Sequence, residues 1–250
     1  MKSNLDEYII DTLKSFKLVE MREQYTIEIE KAIKSKLSYK EFLVNLIKVE
    51  EIGKQKRSVD RSIKNANFES IKTFQEYDFS FHNHSYTQKL KSLSELNFIK
   101  QKENIILIGP PGVGKSHIAT ALGVEACNKG YKVLFINASK LMDDLLKALS
   151  FGNINLELKK LSKIDLLIID ELGYLIMDKE KESLFFQLIR HRYEKNSLII
   201  TTNLPFKQWN EVFTSQIAAT AILDRLIHHS HIVSITGDSY RVKGKGGNCR

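Results

Sequence analysis

Apolar residues along the first quarter of the chain recur at helical intervals: Leu5, Tyr8, Ile9, Leu13 and Phe16, then Phe42, Leu43, Leu46 and Ile47. Residues 4–66 contain one glycine and no proline, so nothing punctuates that period, and the spacing predicts helices with a core-facing side. Ser38 followed by Glu41 has the form of a capping box and predicts the start of the helix that carries Phe42 to Ile47. From residue 104 the pattern changes to short β-rich runs between helical stretches. These are NIILI at 104–108, KVLFI at 132–136, LLIID at 166–170, SLIITT at 197–202 and HIVSI at 231–235. Continuous apolar strands alternating with helices indicate a parallel sheet covered on both faces. The expected fold class is α/β. Its organisation is a helical region over 1–66, a connecting segment over 67–103 that lies against the core, and the α/β core over 104–250.

Between the first strand and the helical stretch after it stands Gly109-Pro110-Pro111-Gly112-Val113-Gly114-Lys115-Ser116, followed by His117, which is counted with the loop as a nucleotide-contacting candidate. The run satisfies G-x-x-x-x-G-K-[ST] in the strand-to-helix context the pattern requires. Gly112 and Gly114 let successive backbone N–H groups turn around phosphate oxygens, and the helix starting near Lys115 adds its partial positive end. Lys115 can reach the β- and γ-phosphates, and the Ser116 hydroxyl can hold Mg²⁺. The competing reading, a tight turn that happens to contain lysine, does not account for the segments on both sides. A nucleoside triphosphate, ATP, is the expected ligand.

Hydrolysis further needs a metal held from the far side and an oriented water. Asp170, ending the LLIID strand, is the candidate second metal ligand, and Glu171 the candidate base for the water. Asn203, in TTNLP, emerges at the carboxyl edge of the sheet where open α/β folds bind ligands, and its amide can help place that water. Arg225, in ILDRL, sits on a helix before the last strand, where a subunit can offer a guanidinium to its neighbour's γ-phosphate.

Charge adds a partner class. The chain carries 38 Lys/Arg against 30 Asp/Glu, a formal +8, and residues 52–102 alone hold ten basic against five acidic side chains. Such a surplus suits a polyanion, although the same run also fits a solvated helical face. No apolar run approaches the roughly 20 residues that span a bilayer, and the N-terminal stretch is interrupted by Asp6, Glu7 and Asp11, so a cytoplasmic protein without a membrane partner is expected. Two cysteines, Cys127 and Cys249, fit a reducing compartment. The histidine clusters at 82–84 and 228–231 have no cysteine or acidic residue at metal-site spacing, and they read as surface or satisfied histidines.

In this order the phosphate loop, IIDELG, TTNLP and ILDRL resemble the Walker A, Walker B, sensor 1 and arginine-finger segments of AAA+ ATPases. The segments ANFESIKTFQEYDFSF, GKSHIATALGVEACNKGYKVLFI, DLLIIDELGYL and ILDRLIHHSHIVSITGDSYR narrow this to the IstB family, helper ATPases of insertion-sequence transposition that are similar in turn to DnaC-type helicase loaders. The resemblance implies phosphate and Mg²⁺ binding by Lys115 and Ser116, metal binding by Asp170, water activation by Glu171, a sensor at Asn203 and a finger in trans at Arg225. Arg241, in DSYR, matches a reduced sensor 2. Only 15 residues follow the last strand, too few for a helical lid, so neighbouring subunits of a homo-oligomer are expected to close shared sites. The resemblance also implies assembly on duplex DNA and recruitment of the transposase of the same element, with Lys54, Lys56, Arg57, Arg61 and Lys64 as phosphate-contacting candidates. A helicase loader, a small-molecule kinase and a nucleotide-driven assembly switch without turnover stay open. The kinase is disfavoured because Glu171 suits water activation and no arginine-rich lid lies between the strands.

Overall fold

The structure, a computed structural model, describes residues 4–79 and 84–237. Contacts divide the chain into two compact units, Met1–Arg61 and Ser62–Arg250.

Helices α1 (Asn4–Ser15), α2 (Val19–Lys34) and α3 (Tyr39–Asn65) make up the first region. The predicted capping box is formed: the Glu41 N–H donates to Ser38 Oγ (3.4 Å), and the Ser38 hydroxyl (2.7 Å) and N–H (2.8 Å) donate to Glu41 Oε2, which holds the Glu41 carboxyl below its ordinary range. The expected core face is not realised. Leu5, Tyr8, Phe16, Leu43 and Ile47 are exposed, and only Ile9, Leu13, Phe42 and Leu46 are half-buried. Within the first unit, three helices enclose too little volume for a full apolar core, and their interior is polar instead. The buried Glu50 carboxylate accepts the N–H groups of Glu20 (2.8 Å) and Met21 (3.1 Å) at the start of α2, where a helix leaves donors without intrahelical acceptors. Arg57 bridges Glu20 (2.5 Å) and Glu50 (2.8 Å).

In the second unit five strands, β1 (Asn104–Ile108), β2 (Val133–Asn137), β3 (Leu166–Asp170), β4 (Ser197–Thr202) and β5 (Ser230–Ser234), form one parallel sheet in the order β2-β3-β4-β1-β5. β1, β3 and β4 have the expected bounds, whereas β2 lies one residue later and β5 one residue earlier than the apolar runs suggest. Strand alternation sends Ile106, Leu167, Ile169, Leu198 and Ile200 into one layer, against α7 (Ala138–Ser150), α8 (Ile154–Leu161), α9 (Lys179–Arg192) and α10 (Gln216–Ile227). Ile105, Leu107, Leu166, Ile168 and Ile199 face the other layer, with α6 (Lys115–Asn128), α4 (His84–Ser94) and α5 (Asn97–Gln101). Side chains from the connecting segment, among them Phe68, Phe74, Tyr77 and Phe79, pack on that second layer, and the Phe135 N–H donates to the Ala66 carbonyl (2.7 Å) at the sheet edge. No helix among the described residues is long and apolar enough to cross a membrane.

One buried cation ties the lower rim of the sheet together. Arg192, 1% exposed at the end of α9, donates to the carbonyls of Leu161 (2.5 Å), Ile164 (3.0 Å) and Ser197 (2.8 Å). Burial pulls its guanidinium down to about 10, against the opposing charge of Asp165, so it remains protonated at neutral pH. Arg192→Met takes the guanidinium donor from three carbonyls, of which that of Leu161 keeps the Ile164 N–H (3.2 Å), and is expected to cost roughly 3 kcal/mol in denaturant unfolding. A loss below the error of extrapolation would show that the clamp contributes nothing net.

Candidate nucleotide site

β1 delivers the chain at the carboxyl edge of the sheet, where the Gly109 N–H donates to the Thr202 carbonyl (3.2 Å). The loop then turns through Gly112 (φ 82°) and Gly114 (φ 94°), the left-handed region that disfavours side chains. Gly114 is doubly required: a Cβ there would also lie 3.0 Å from Cε2 of Tyr77. Helix α6 starts at Lys115, and its first N–H groups supply the partial positive end at which anions bind. The Lys115 ammonium donates to the carbonyls of Gly109 (2.7 Å) and Pro110 (2.8 Å), which keeps it over the loop. His117 faces the other way. Its Nε2 pairs with the Thr73 carbonyl (2.9 Å) and its ring meets the Tyr77 ring edge-on at 5.2 Å, so it anchors the connecting segment above α6.

β4 lies between β1 and β3, and its end bonds to Asp170, which closes β3, to Glu171 just after it, and to the loop. The buried Asp170 carboxylate accepts, on Oδ1, the hydroxyls of Ser116 (3.0 Å) and Thr201 (2.5 Å). The Glu171 N–H donates to the same Thr201 hydroxyl oxygen (2.9 Å), with Glu171 itself in the left-handed region (φ 63°). That conformation turns the Glu171 side chain to an exposed position, where Oε2 accepts from Asn137 Nδ2 (3.0 Å). Asn137 is fixed in turn: it stands in register with Asp170 at the end of β2, and its Oδ1 accepts the Ser139 N–H (2.9 Å) as the cap of α7. A hydroxyl and a carboxylate 3.0 Å apart are hard oxygen donors of the kind Mg²⁺ prefers, so Ser116 and Asp170 fit that ion.

Asn203 follows β4 with its Oδ1 buried and without a hydrogen-bond partner among the described residues, packed so closely on Gly173 that a Cβ there would fall 2.1 Å from it. Arg225 is elsewhere in its contacts. It is half-buried on α10, donates to its own helix at Ala221 (2.8 Å), and its guanidinium lies 4.9 Å from the centre of the Phe186 ring of α9. Arg241 lies outside the described residues. Of the basic candidates on α3, Lys54, Lys56, Arg61 and Lys64 are exposed, whereas Arg57 is engaged by Glu20 and Glu50. Asn137 and Thr201 were not singled out from the sequence; the signal available was a polar residue closing each of two apolar strands.

Two substitutions test this geometry. Lys115→Ala is expected to weaken ATP binding roughly a hundredfold, from loss of a charge-assisted contact of ~3 kcal/mol, with unchanged unfolding. Gly173→Ala forces Asn203 aside and is expected to destabilise the fold by about 1–3 kcal/mol; an unaffected melting curve would mean that the contact relaxes freely.

The fold is that of AAA+ P-loop domains. The chain superimposes on the crystal structure of DnaI with a TM-score of 0.57 at 20% identity, over 66% of this chain and 91% of that one. It matches AMPPCP-bound DnaA from Aquifex aeolicus at 0.58 and 24%, over 71% and 54%. Sequence relatives are nearer. The chain is 43% identical to the ATP-binding protein of insertion sequence IS21 from Pseudomonas aeruginosa, over 87% of this chain and 82% of that protein. It is 40% identical to its counterpart in IS232 from Bacillus thuringiensis subsp. berliner, over 96% of both. The model of the family described as IstB-like ATP binding protein matches residues 11–247. The chain therefore belongs to the IstB-like ATP-binding proteins.

Proposed function

We propose that this protein is an ATP-hydrolysing helper of insertion-sequence transposition, which assembles on duplex target DNA and recruits the transposase of its own element. The observation that carries the hydrolytic part is the chain Ser116–Asp170–Thr201–Glu171–Asn137, which sets a metal-type oxygen pair and a separately held carboxylate beside the phosphate loop. The insertion-sequence setting of the relatives supports the rest.

In this reading the loop from Gly109 to Gly114 and the start of α6 receive the phosphates, and Lys115 leaves the Gly109 and Pro110 carbonyls for the β- and γ-phosphates. Ser116 and Asp170 would hold Mg²⁺, which would neutralise charge on the phosphate oxygens. Glu171 accepts a proton from water as the water oxygen bonds to the γ-phosphorus and the bond to the bridging oxygen of ADP breaks. Asn203 orients that water. Arg225 acts on a neighbouring subunit's γ-phosphate, for which it must exchange its stacking on Phe186. Arg241 is proposed as a sensor on the resemblance alone. Lys54, Lys56, Arg61 and Lys64 contact DNA phosphates without reading sequence, and Arg57 contributes only by releasing Glu20 or Glu50.

ATP turnover and sedimentation with no nucleic acid, duplex DNA and single-stranded DNA test the whole reading. Duplex-stimulated turnover with ATP-dependent assemblies is expected, whereas a response confined to single strands would replace it with a helicase loader. Glu171→Gln should keep ATP binding and lower turnover by about 10²–10⁴. Unchanged turnover would remove Glu171 from the reaction. Each of Lys54→Ala and Arg61→Ala is expected to reduce the salt slope of duplex binding by about one.

A further inference from the structure

The rim of the sheet opposite the phosphate loop carries a second cluster of ligand-type side chains. α9 ends at Arg192 and leads to the start of β4, and α10 ends at Ile227 and leads to the start of β5. Both junctions therefore lie at the amino ends of parallel strands, whereas Lys115, Asp170 and Asn203 lie at the carboxyl ends. Glu194 comes from the first junction, His228 and His229 from the second. One ligand atom from each of the three lies within 4.8 Å of the other two. His229 Nε2 is 3.6 Å from Glu194 Oε1, and the two imidazole rings are 4.1 Å apart. The acidic partner missing around these histidines in the sequence is thus supplied by a different turn.

The backbone under these side chains is fixed. Glu194 adopts φ 58° in a turn closed by the Lys195 and Asn196 N–H groups on the Arg192 carbonyl (2.9 and 3.1 Å), and Arg192 is itself clamped to three carbonyls. On the other side the His228 N–H donates to Asp224 (3.0 Å), and the His229 carbonyl accepts the Asn104 N–H at the start of β1 (2.7 Å). The Tyr193 hydroxyl is hydrogen-bonded to Nδ1 of His228 (2.8 Å), the kind of outer contact that orients a ligating imidazole. His231 differs from its neighbours, since its Nε2 already pairs with Glu103 (2.9 Å).

We propose that Glu194, His228 and His229 form a surface site for a divalent transition-metal ion of the Zn²⁺ class, separate from the nucleotide site and independent of the function proposed above. Two imidazoles and one carboxylate are a three-ligand set for Zn²⁺ that leaves a coordination position to water or to a donor from another molecule. Ligand atoms around a four-coordinate Zn²⁺ stand about 3.4 Å apart, given bonds of about 2.0–2.2 Å, so the side chains must close by about an ångström. All three are exposed, and His229 and Glu194 already stand 3.6 Å apart. Imidazole favours Zn²⁺, Ni²⁺ and Cu²⁺ over Mg²⁺, so the ion expected between Ser116 and Asp170 does not compete here. A bound ion would cross-link the end of α9 to the α10–β5 junction.

The test is equilibrium dialysis and calorimetry of the untagged full chain with Zn²⁺, then Ni²⁺, in excess Mg²⁺. Cys127 is buried with its thiol pushed up to about 11, so it presents no competing thiolate. About one saturable Zn²⁺ per chain is expected, at least tenfold weaker in His229→Gln and in Glu194→Gln, unchanged in Asp170→Asn, and with ATP binding by His229→Gln intact. Saturating Zn²⁺ should raise the unfolding temperature by a few degrees in the parent and not in His229→Gln. Absence of saturable binding below millimolar Zn²⁺, or binding that survives both substitutions, overturns the proposal.

Discussion

A carboxylate buried at the end of an apolar strand must be satisfied where it stands, and Asp170 imposes that constraint on everything around the phosphate loop. The strand Leu166–Asp170 is fully buried, so bulk water cannot solvate the charge. Two hydroxyls from other elements, Ser116 at the start of α6 and Thr201 near the end of β4, converge on one oxygen instead. Satisfying the acid therefore ties the start of α6 to the ends of β3 and β4, next to Glu171. Thr201 extends the constraint, because its oxygen accepts the Glu171 N–H while its hydrogen goes to Asp170.

How much of this could be read from the sequence depends on whether a feature is local. The loop at 109–116 was legible as a strand-to-helix turn because its pattern is carried by consecutive residues whose flanks announce a strand and a helix. The five strands were legible for the same reason, to within a residue at β2 and β5. Asn137 and Thr201 were not, because their partners are set by strand order: β2 beside β3, and β4 between β3 and β1. Period alone also misjudged α1 and α3. It identifies which side chains share a face but does not say whether another element covers them, and Leu5, Tyr8, Leu43 and Ile47 remain exposed. Glu194 was missed as a neighbour of His229 because turns far apart in sequence meet at one rim.

The two units rest on different physics. The second depends on two apolar layers, one on each face of a parallel sheet, with Asp170, Thr201 and Arg192 held in it by hydrogen bonds to other elements. The first is organised around Glu50, which caps α2 with its carboxylate and is bridged through Arg57 to Glu20. Arg57 is about a third exposed, so water and dissolved ions reach that network.

Ionic strength is therefore not a neutral variable for this molecule. Added salt screens a network as accessible as Arg57–Glu20–Glu50, while strongly hydrated anions such as sulfate reinforce apolar burial in the sheet. The helical unit loosens under conditions in which the α/β unit tightens. Salt titrations of any contact made by α3 consequently report two quantities at once, the screening of that contact and the softening of the helices that present the lysines.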